Sequence, residues 1–285
     1  MLLLDGKKTA QEIKQNIAEE VSCLQQNGKR LPKLALVLVG DRPDSLSYVN
    51  SKEKNCLSLG MACEKHHLPS DTTEESLLTL IHQLNEDPAV DGILVQLPIP
   101  EHIHTDHVLE AVDFRKDADG LHHVNLGLML MGDPYVLPCT PNGILQLLKR
   151  YQIPMAGKKA VVVGRSMRVG APTAILLQQQ NATVTQCHSH TLNLVEECRN
   201  ADIVVTAAGV PGLLRPQDLK EGAVLVDVAM NHDADGLCGD VYSKTTASSL
   251  EQRLYAATPV PGGVGPMIIA MLMYNVLELY RKHEQ

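Results

Sequence analysis

A two-domain α/β fold built on parallel sheets is what this 285-residue chain predicts. Three observations carry that expectation. Short β-rich runs alternate with amphipathic helical stretches, which implies parallel pairing through right-handed crossovers. The alternation comes in two blocks, separated by a stretch at 113–143 rich in Asp, Gly, His and Pro. The second block opens on an apolar run ending in a glycine turn, Val161-Val162-Val163-Gly164. The length also suits two cores better than one.

The first block predicts a helix over 9–26, a strand over 34–39 ending at Gly40, and a helix over 44–59. A strand near 62–67 and a helix over 74–86 follow. Residues 92–97 read as a third strand, stopped by Pro98 and Pro100. The stretch 113–143 reads as loops between domains, with a helix after it over about 142–151. In the second block strands are expected at 159–164, 182–187, 202–207 and 223–228. Thr258 to Pro266 is a Pro/Gly-rich loop leading into a final apolar helix. No strand follows that helix, so it is expected to pack back on the first domain. At least one of Leu97-Pro98 and Val260-Pro261 is expected to be cis, because tight turns beside sites are where that isomer is retained.

Composition narrows the function. Hydrophobic residues make up 44% and charged residues 20%, an ordinary globular balance. A net charge of −8 argues against nucleic acid as a partner, since phosphate neutralisation needs clustered Lys and Arg. A local basic pocket would still admit an anionic substrate. Met267 to Leu279, the most apolar stretch, is too short to span a bilayer and is interrupted by Asn275 and Glu278, so no membrane role is expected. Leu2-Leu3-Leu4 before Asp5 is not a signal-peptide core. Seven cysteines without a CxxC pair imply reduced thiols. These features together favour the cytoplasm. The histidines at 102, 104, 107, 122, 123, 188 and 190 cluster, but their spacing forms no zinc ligand set. They are expected at surfaces and turns, with no metal.

The segment Gly164-Arg165-Ser166-Met167-Arg168-Val169-Gly170-Ala171-Pro172 joins a buried strand to a helix beginning near Pro172. That geometry turns backbone N–H groups and the helix's positive end toward a pyrophosphate. It departs from G-x-G-x-x-G, because Ser166 replaces the second glycine and the last glycine comes one residue late. The end of the next strand bears on the cofactor. NAD sites commonly place Asp or Glu there for the ribose 2′-hydroxyl. Cys187-His188-Ser189-His190-Thr191 offers no acid. Ser189 can donate to a 2′-phosphate and Arg165 can pair with it, so NADP is expected. Ser189 also reads as a helix N-cap, and both roles are compatible.

Four residues of the first block look chemical. Tyr48 and Lys52 lie four apart on one helix face. Gln96 sits late in an otherwise apolar strand, and strand C-termini are where open α/β sheets gather ligands. Asp119 lies in the loop Asp117-Ala118-Asp119-Gly120. A lysine near a polar strand end can serve as acid, base or electrophile. Blander roles exist for each. Tyr48 and Lys52 also fit an amphipathic surface, Gln96 a backbone partner, and Asp119 an Asx turn. The Tyr-x-x-x-Lys spacing of short-chain dehydrogenases does not apply, because there the pair follows the glycine loop. Here it precedes Gly164 by more than a hundred residues.

Five stretches in order resemble the bifunctional methylenetetrahydrofolate dehydrogenase/methenyltetrahydrofolate cyclohydrolase family, over almost the whole chain. They are Tyr48-Val49-Asn50-Ser51-Lys52, Asp91-Gly92-Ile93-Leu94-Val95-Gln96-Leu97-Pro98 and Lys116-Asp117-Ala118-Asp119-Gly120. Pro138-Cys139-Thr140-Pro141-Asn142-Gly143 and Thr258-Pro259-Val260-Pro261-Gly262-Gly263-Val264-Gly265-Pro266-Met267 complete the set. The resemblance implies two α/β domains around a cleft: a folate-binding catalytic domain over 1–139 plus 268–285, and a Rossmann-type NADP domain over 140–267. It implies Lys52 as the key catalytic residue, Tyr48 as its companion, Gln96 positioning Lys52, and Asp119 hydrogen-bonding the pterin. Gly164, Arg165, Ser166, Ser189 and Met230 would line NADP. Leu97, Pro261, Gly262 and Gly263 would border the folate, and the protein would be a homodimer. The pattern departs from the family's at Ala118, commonly valine, at Ile268, often threonine, and at Ala229-Met230-Asn231, commonly Gly-Ile-Asn. A monofunctional dehydrogenase is the related alternative, and intact Tyr48, Lys52, Gln96 and Asp119 argue against it. A shikimate-type NADP dehydrogenase shares the domain plan, and the proline-glycine stretch at 258–267 argues against that.

Overall fold

Lys33–Val39 forms the centre of a three-stranded parallel sheet, flanked by Ala62–Leu68 and Gly92–Val95. Its residues from Leu34 on are all buried, as expected of a central strand covered on both faces. The helix Glu74–Glu86 starts at Thr73, whose side chain accepts a bond from Ser76 N. It turns Leu77, Ile81 and Leu84, one apolar stripe, onto Ala35, Val37, Ile93 and Val95 of the sheet. Val108 of the helix Thr105–Ala111 joins the same cluster. This sheet belongs to a unit made of Glu12–Leu137 and the chain from Ile269 onward. The computed structural model describes residues 1–234 and 236–284.

The final helix, Val264–His283, returns to this unit from Ile269 on, as expected. Asn275 Nδ2 donates to the carbonyls of Ala118 and Leu137, both at 2.9 Å. Near its end, His283 Nδ1 lies 3.0 Å from Asp91 Oδ1. Asp91 is fully buried and takes a two-pronged bond from Arg30, at 2.7 and 2.8 Å, and one from Lys33 N. Burial works against the Asp91 charge, but His283, Arg30 and the Lys33 amide outweigh it and hold the carboxyl below its usual range. A carboxyl lowered in the folded state stabilises above its unfolded pKa, and that contribution is lost as pH falls through the folded value. Asp91→Asn is therefore expected to cost about 2–3 kcal/mol near neutral pH, because it leaves a half-buried Arg30 short of a partner. The gap to wild type in urea unfolding should narrow below about pH 4. A gap independent of pH would show that the Asp91 charge contributes nothing.

The other unit, Met1–Gln11 with Pro138–Ile268, carries a six-stranded sheet in which every neighbouring pair is parallel. Its order is Leu2–Leu3, Ala256–Ala257, Val224–Asp227, Ile203–Thr206, Lys159–Val163, Thr183–Cys187. The four longer strands fall where the sequence puts them. The two-residue strands do not show in any periodicity. They explain why the division differs from the expected 1–139. Leu2–Leu3 pair with Ala256–Ala257, Lys7 N donates to Gly262 O, and Asp5 N donates to the Tyr151 hydroxyl. Residues 113–143, read as loops, contain the helix His123–Met131 and the start of Cys139–Arg150. His122 Nδ1 accepts from Val124 N, and Gly132 in the left-handed region closes the first of these helices. Polar punctuation on either side masks an apolar helix only nine residues long. All seven cysteines are free, and among the described residues no helix is long and apolar enough to cross a membrane.

Candidate active site and dinucleotide site

The strand Gly92–Val95 stops one residue before Gln96, whose N–H still donates to Val37 O at 2.8 Å. The next peptide, Leu97-Pro98, is cis, and so is Val260-Pro261. Gln96 is only 8% exposed. Its amide nitrogen donates to Leu97 O at 2.6 Å, which fixes its carbonyl oxygen as an acceptor. Lys52 Nζ donates to that oxygen at 2.9 Å. The lysine reaches it from the helix Pro43–Ser58, and Tyr48 stands one turn earlier on the same helix, half exposed. The structure thus brings Lys52 and Gln96 into direct contact, with Tyr48 alongside. The amphipathic-surface role does not describe a lysine held by a buried glutamine.

Asp119 arrives by a different route. The segment before it adds to the edge of the same strand: Ile93 N donates to Lys116 O, and Ala118 N donates to Ile93 O. Asp117 then locks the turn, accepting from Gly120 N, His122 N and Asn125 Nδ2 at 2.8–3.0 Å. Burial pushes the Asp117 carboxyl up, against those three donors. The Asx-turn role considered for Asp119 therefore belongs to Asp117. Asp119 itself is partly exposed, and its carboxylate takes no partner among the described residues. That leaves two acceptor oxygens on a rigid loop for a ligand.

In the other unit the glycine turn is dictated by close approach. Gly164 has φ of +131°, and a Cβ there would run into the Ala207 carbonyl. A Cβ on Gly170 would overlap the Gly164 carbonyl, so the strand can pass into the helix Gly170–Gln179 only with glycine at both places. No side chain caps that helix, although Ala171 N is taken by Ser166 O and Pro172 has no N–H. Arg165 and Ser166 project to solvent. Ser189 sits in an exposed turn built by His188 and Thr191 and caps no helix, so only its donor role remains open. Thr140, Val169, Ala207, Gly209, Met230 and Ile268 help line a hollow of about 400 Å³. It lies at the C-terminal ends of Lys159–Val163, Ile203–Thr206 and Val224–Asp227, where doubly wound sheets bind nucleotides. Pro261 is exposed, and Gly262 has φ of +107°. Gly263 packs so tightly on Thr258 and Pro259 that a Cβ would clash.

Two acids that sequence reasoning missed hold this hollow in shape. Asp240, fully buried, accepts from the amides of Ala208, Gly209 and Val210 and from Asn231 Nδ2. Asp227 accepts from Thr206 Oγ1 and from the amides of Asp240, Val241 and Tyr242. Burial pushes the Asp227 carboxyl up, against those backbone donors. The signal was present: an acid closing the apolar run Val-Leu-Val-Asp.

A parallel sheet with a glycine turn and a hollow at its strand ends, and a second unit with a lysine held by a buried glutamine, is the plan of a dinucleotide-dependent dehydrogenase. The chain belongs to the tetrahydrofolate dehydrogenase/cyclohydrolase family: residues 4–119 match its catalytic domain and residues 138–284 its NAD(P)-binding domain. The bifunctional protein FolD of Desulfovibrio desulfuricans is 47% identical over 286 residues, 99% of each chain. The crystal structure of the bifunctional dehydrogenase/cyclohydrolase of Campylobacter jejuni is 43% identical, covers 99% of each chain and superposes with a TM-score of 0.94. The Trypanosoma brucei enzyme, complexed with NADP and an inhibitor, is 36% identical, with a TM-score of 0.94 over 100% of this chain and 99% of that one.

Proposed function

We propose that the chain oxidises 5,10-methylenetetrahydrofolate to the methenyl form with NADP and then hydrolyses that product to 10-formyltetrahydrofolate. The single observation that carries this reading is the Lys52–Gln96 bond at the end of the strand Gly92–Val95, in a chain of this family. The donor set fits a dinucleotide. The Gly164 turn admits a backbone approach, Arg165 and Ser189 are exposed cation and hydroxyl, and Met230 lines the hollow. When bound, NADP supplies the hydride acceptor. The protein's own part in that step is alignment, with Asp119 holding the pterin and Leu97, Pro261, Gly262 and Gly263 bordering the folate. Hydrolysis needs a proton moved between a folate nitrogen and solvent. Lys52, oriented by Gln96 and flanked by Tyr48, is placed to move it. We further read the protein as a cytoplasmic homodimer that uses neither nucleic acid nor membrane.

The cofactor half is tested by comparing NADP with NAD. No acid follows Thr183–Cys187 in the chain, so a 2′-phosphate meets no repulsion there. NADP should be preferred, and Arg165→Ala should weaken NADP about tenfold or more while leaving NAD nearly unchanged, since a charge-assisted bond contributes about 1.5–3 kcal/mol. Equal kcat/KM for the two cofactors in the wild type would end this reading.

A further inference from the structure

Glu74, His104 and His107 come together at one edge of the catalytic unit, outside the residues assigned above. Their ligand atoms lie within 4.8 Å of one another. His104 Nδ1 stands 2.8 Å from Glu74 Oε2, and His107 Nδ1 2.9 Å from Oε1. The His104 amide also donates to Oε2, at 2.7 Å, which orients the carboxylate. Sequence spacing could not reveal the set, because the third donor lies thirty residues before the first histidine.

We propose that Glu74, His104 and His107 form a binding site for a borderline divalent transition metal, with Zn2+ as its reference ion. Two imidazoles and a carboxylate are a donor set that such ions take, and three protein ligands leave one tetrahedral position for water. Bonds of about 2.1 Å to a tetrahedral ion separate the donors by about 3.4 Å. The two His–Glu distances, which run to different oxygens of one carboxylate, need open by about half an ångström, and both rings are exposed enough to turn. The carboxylate is already held in place as a ligand by the His104 amide. Asp106 and Glu110 add negative field at His107. Bound there, the ion would clamp the end of the segment leaving Gln96 to the start of the helix Glu74–Glu86.

The test uses tag-free full-length protein at about pH 8, where unperturbed imidazoles are neutral. Zn2+ is titrated by calorimetry, and Co2+ is used for its visible spectrum. Variants are His104→Gln, His107→Gln and the double change, all at exposed positions, with circular dichroism to confirm folding. One equivalent should bind the wild type. The double variant should lose at least about tenfold in affinity, each single variant part of that, and the Zn2+-induced rise in Tm should disappear with it. A smaller loss in the double variant, or no uptake by the wild type at millimolar Zn2+, would overturn the site. It would leave the three residues as a hydrogen-bonded clasp.

Discussion

Replacing Lys52 with methionine is expected to lower cyclohydrolase activity by about 10²–10⁴-fold, the usual contribution of a positioned acid–base group. The two half-reactions ask different things of this residue. Oxidation needs two bound molecules aligned, and the charge it creates is delocalised over the folate nitrogens. Hydrolysis needs water to add to that cation and a proton to travel between ring nitrogen and solvent. An ammonium cannot accept a proton, so Lys52 must shed one during the cycle. The 2.9 Å bond to Gln96 orients the amine without adding charge, and Gln96 is itself fixed by Leu97 O. Methionine keeps much of the side-chain length and removes the transferable proton. Both rates should be measured on one preparation, with methenyltetrahydrofolate supplied directly for the second, and the dehydrogenase rate should suffer less. Cyclohydrolase activity within a few-fold of wild type would remove Lys52 from the mechanism.

The second large effect is expected at Asp119. Its carboxylate can accept paired bonds from the pterin amino group and the adjacent ring N–H, each contributing about 1.5–3 kcal/mol. Asp119 is partly exposed, so the lower figure applies, and Asp119→Ala should weaken folate binding about a hundredfold. Both activities should fall together while NADP binding persists. Asp117 shapes the loop through its own bonds to Gly120, His122 and Asn125, so the variant should keep the loop. Calorimetry with a folate analogue decides it: unchanged affinity would mean that Asp119 is no pterin anchor.

What was legible in the sequence follows a physical line. Strands buried on both faces announce themselves as apolar runs, and Lys33–Val39 and Lys159–Val163 fall where they were expected. Helices with a clear stripe, such as Glu74–Glu86, match to the residue. Elements set by tertiary contact did not show. Leu2–Leu3 is a strand only because Ala256–Ala257 lies beside it, and Leu194–Arg199 is too short to display a period. The same division holds at the site. Lys52 and Gln96 stood out as polar groups in ordered elements, and their pairing was expected only from the family resemblance. Asp240 was not, because its importance lies in three backbone amides that only the fold delivers.

The chain passes between the two units after Gln11, after Leu137 and after Ile268, so neither unit is a single stretch of polypeptide. This bears on how the protein is made. Domains generally fold as they leave the ribosome, N-terminal part first. Here the catalytic sheet is complete once Gly92–Val95 has emerged, yet the Ala118 and Leu137 carbonyls wait for Asn275, and Asp91 waits for His283. The loop that carries Asp119 is thus tied down by a residue translated long after it. A nascent chain therefore holds an unfinished Asp119 loop until Asn275 has emerged, and a fragment cut at residue 137 lacks the helix that completes it.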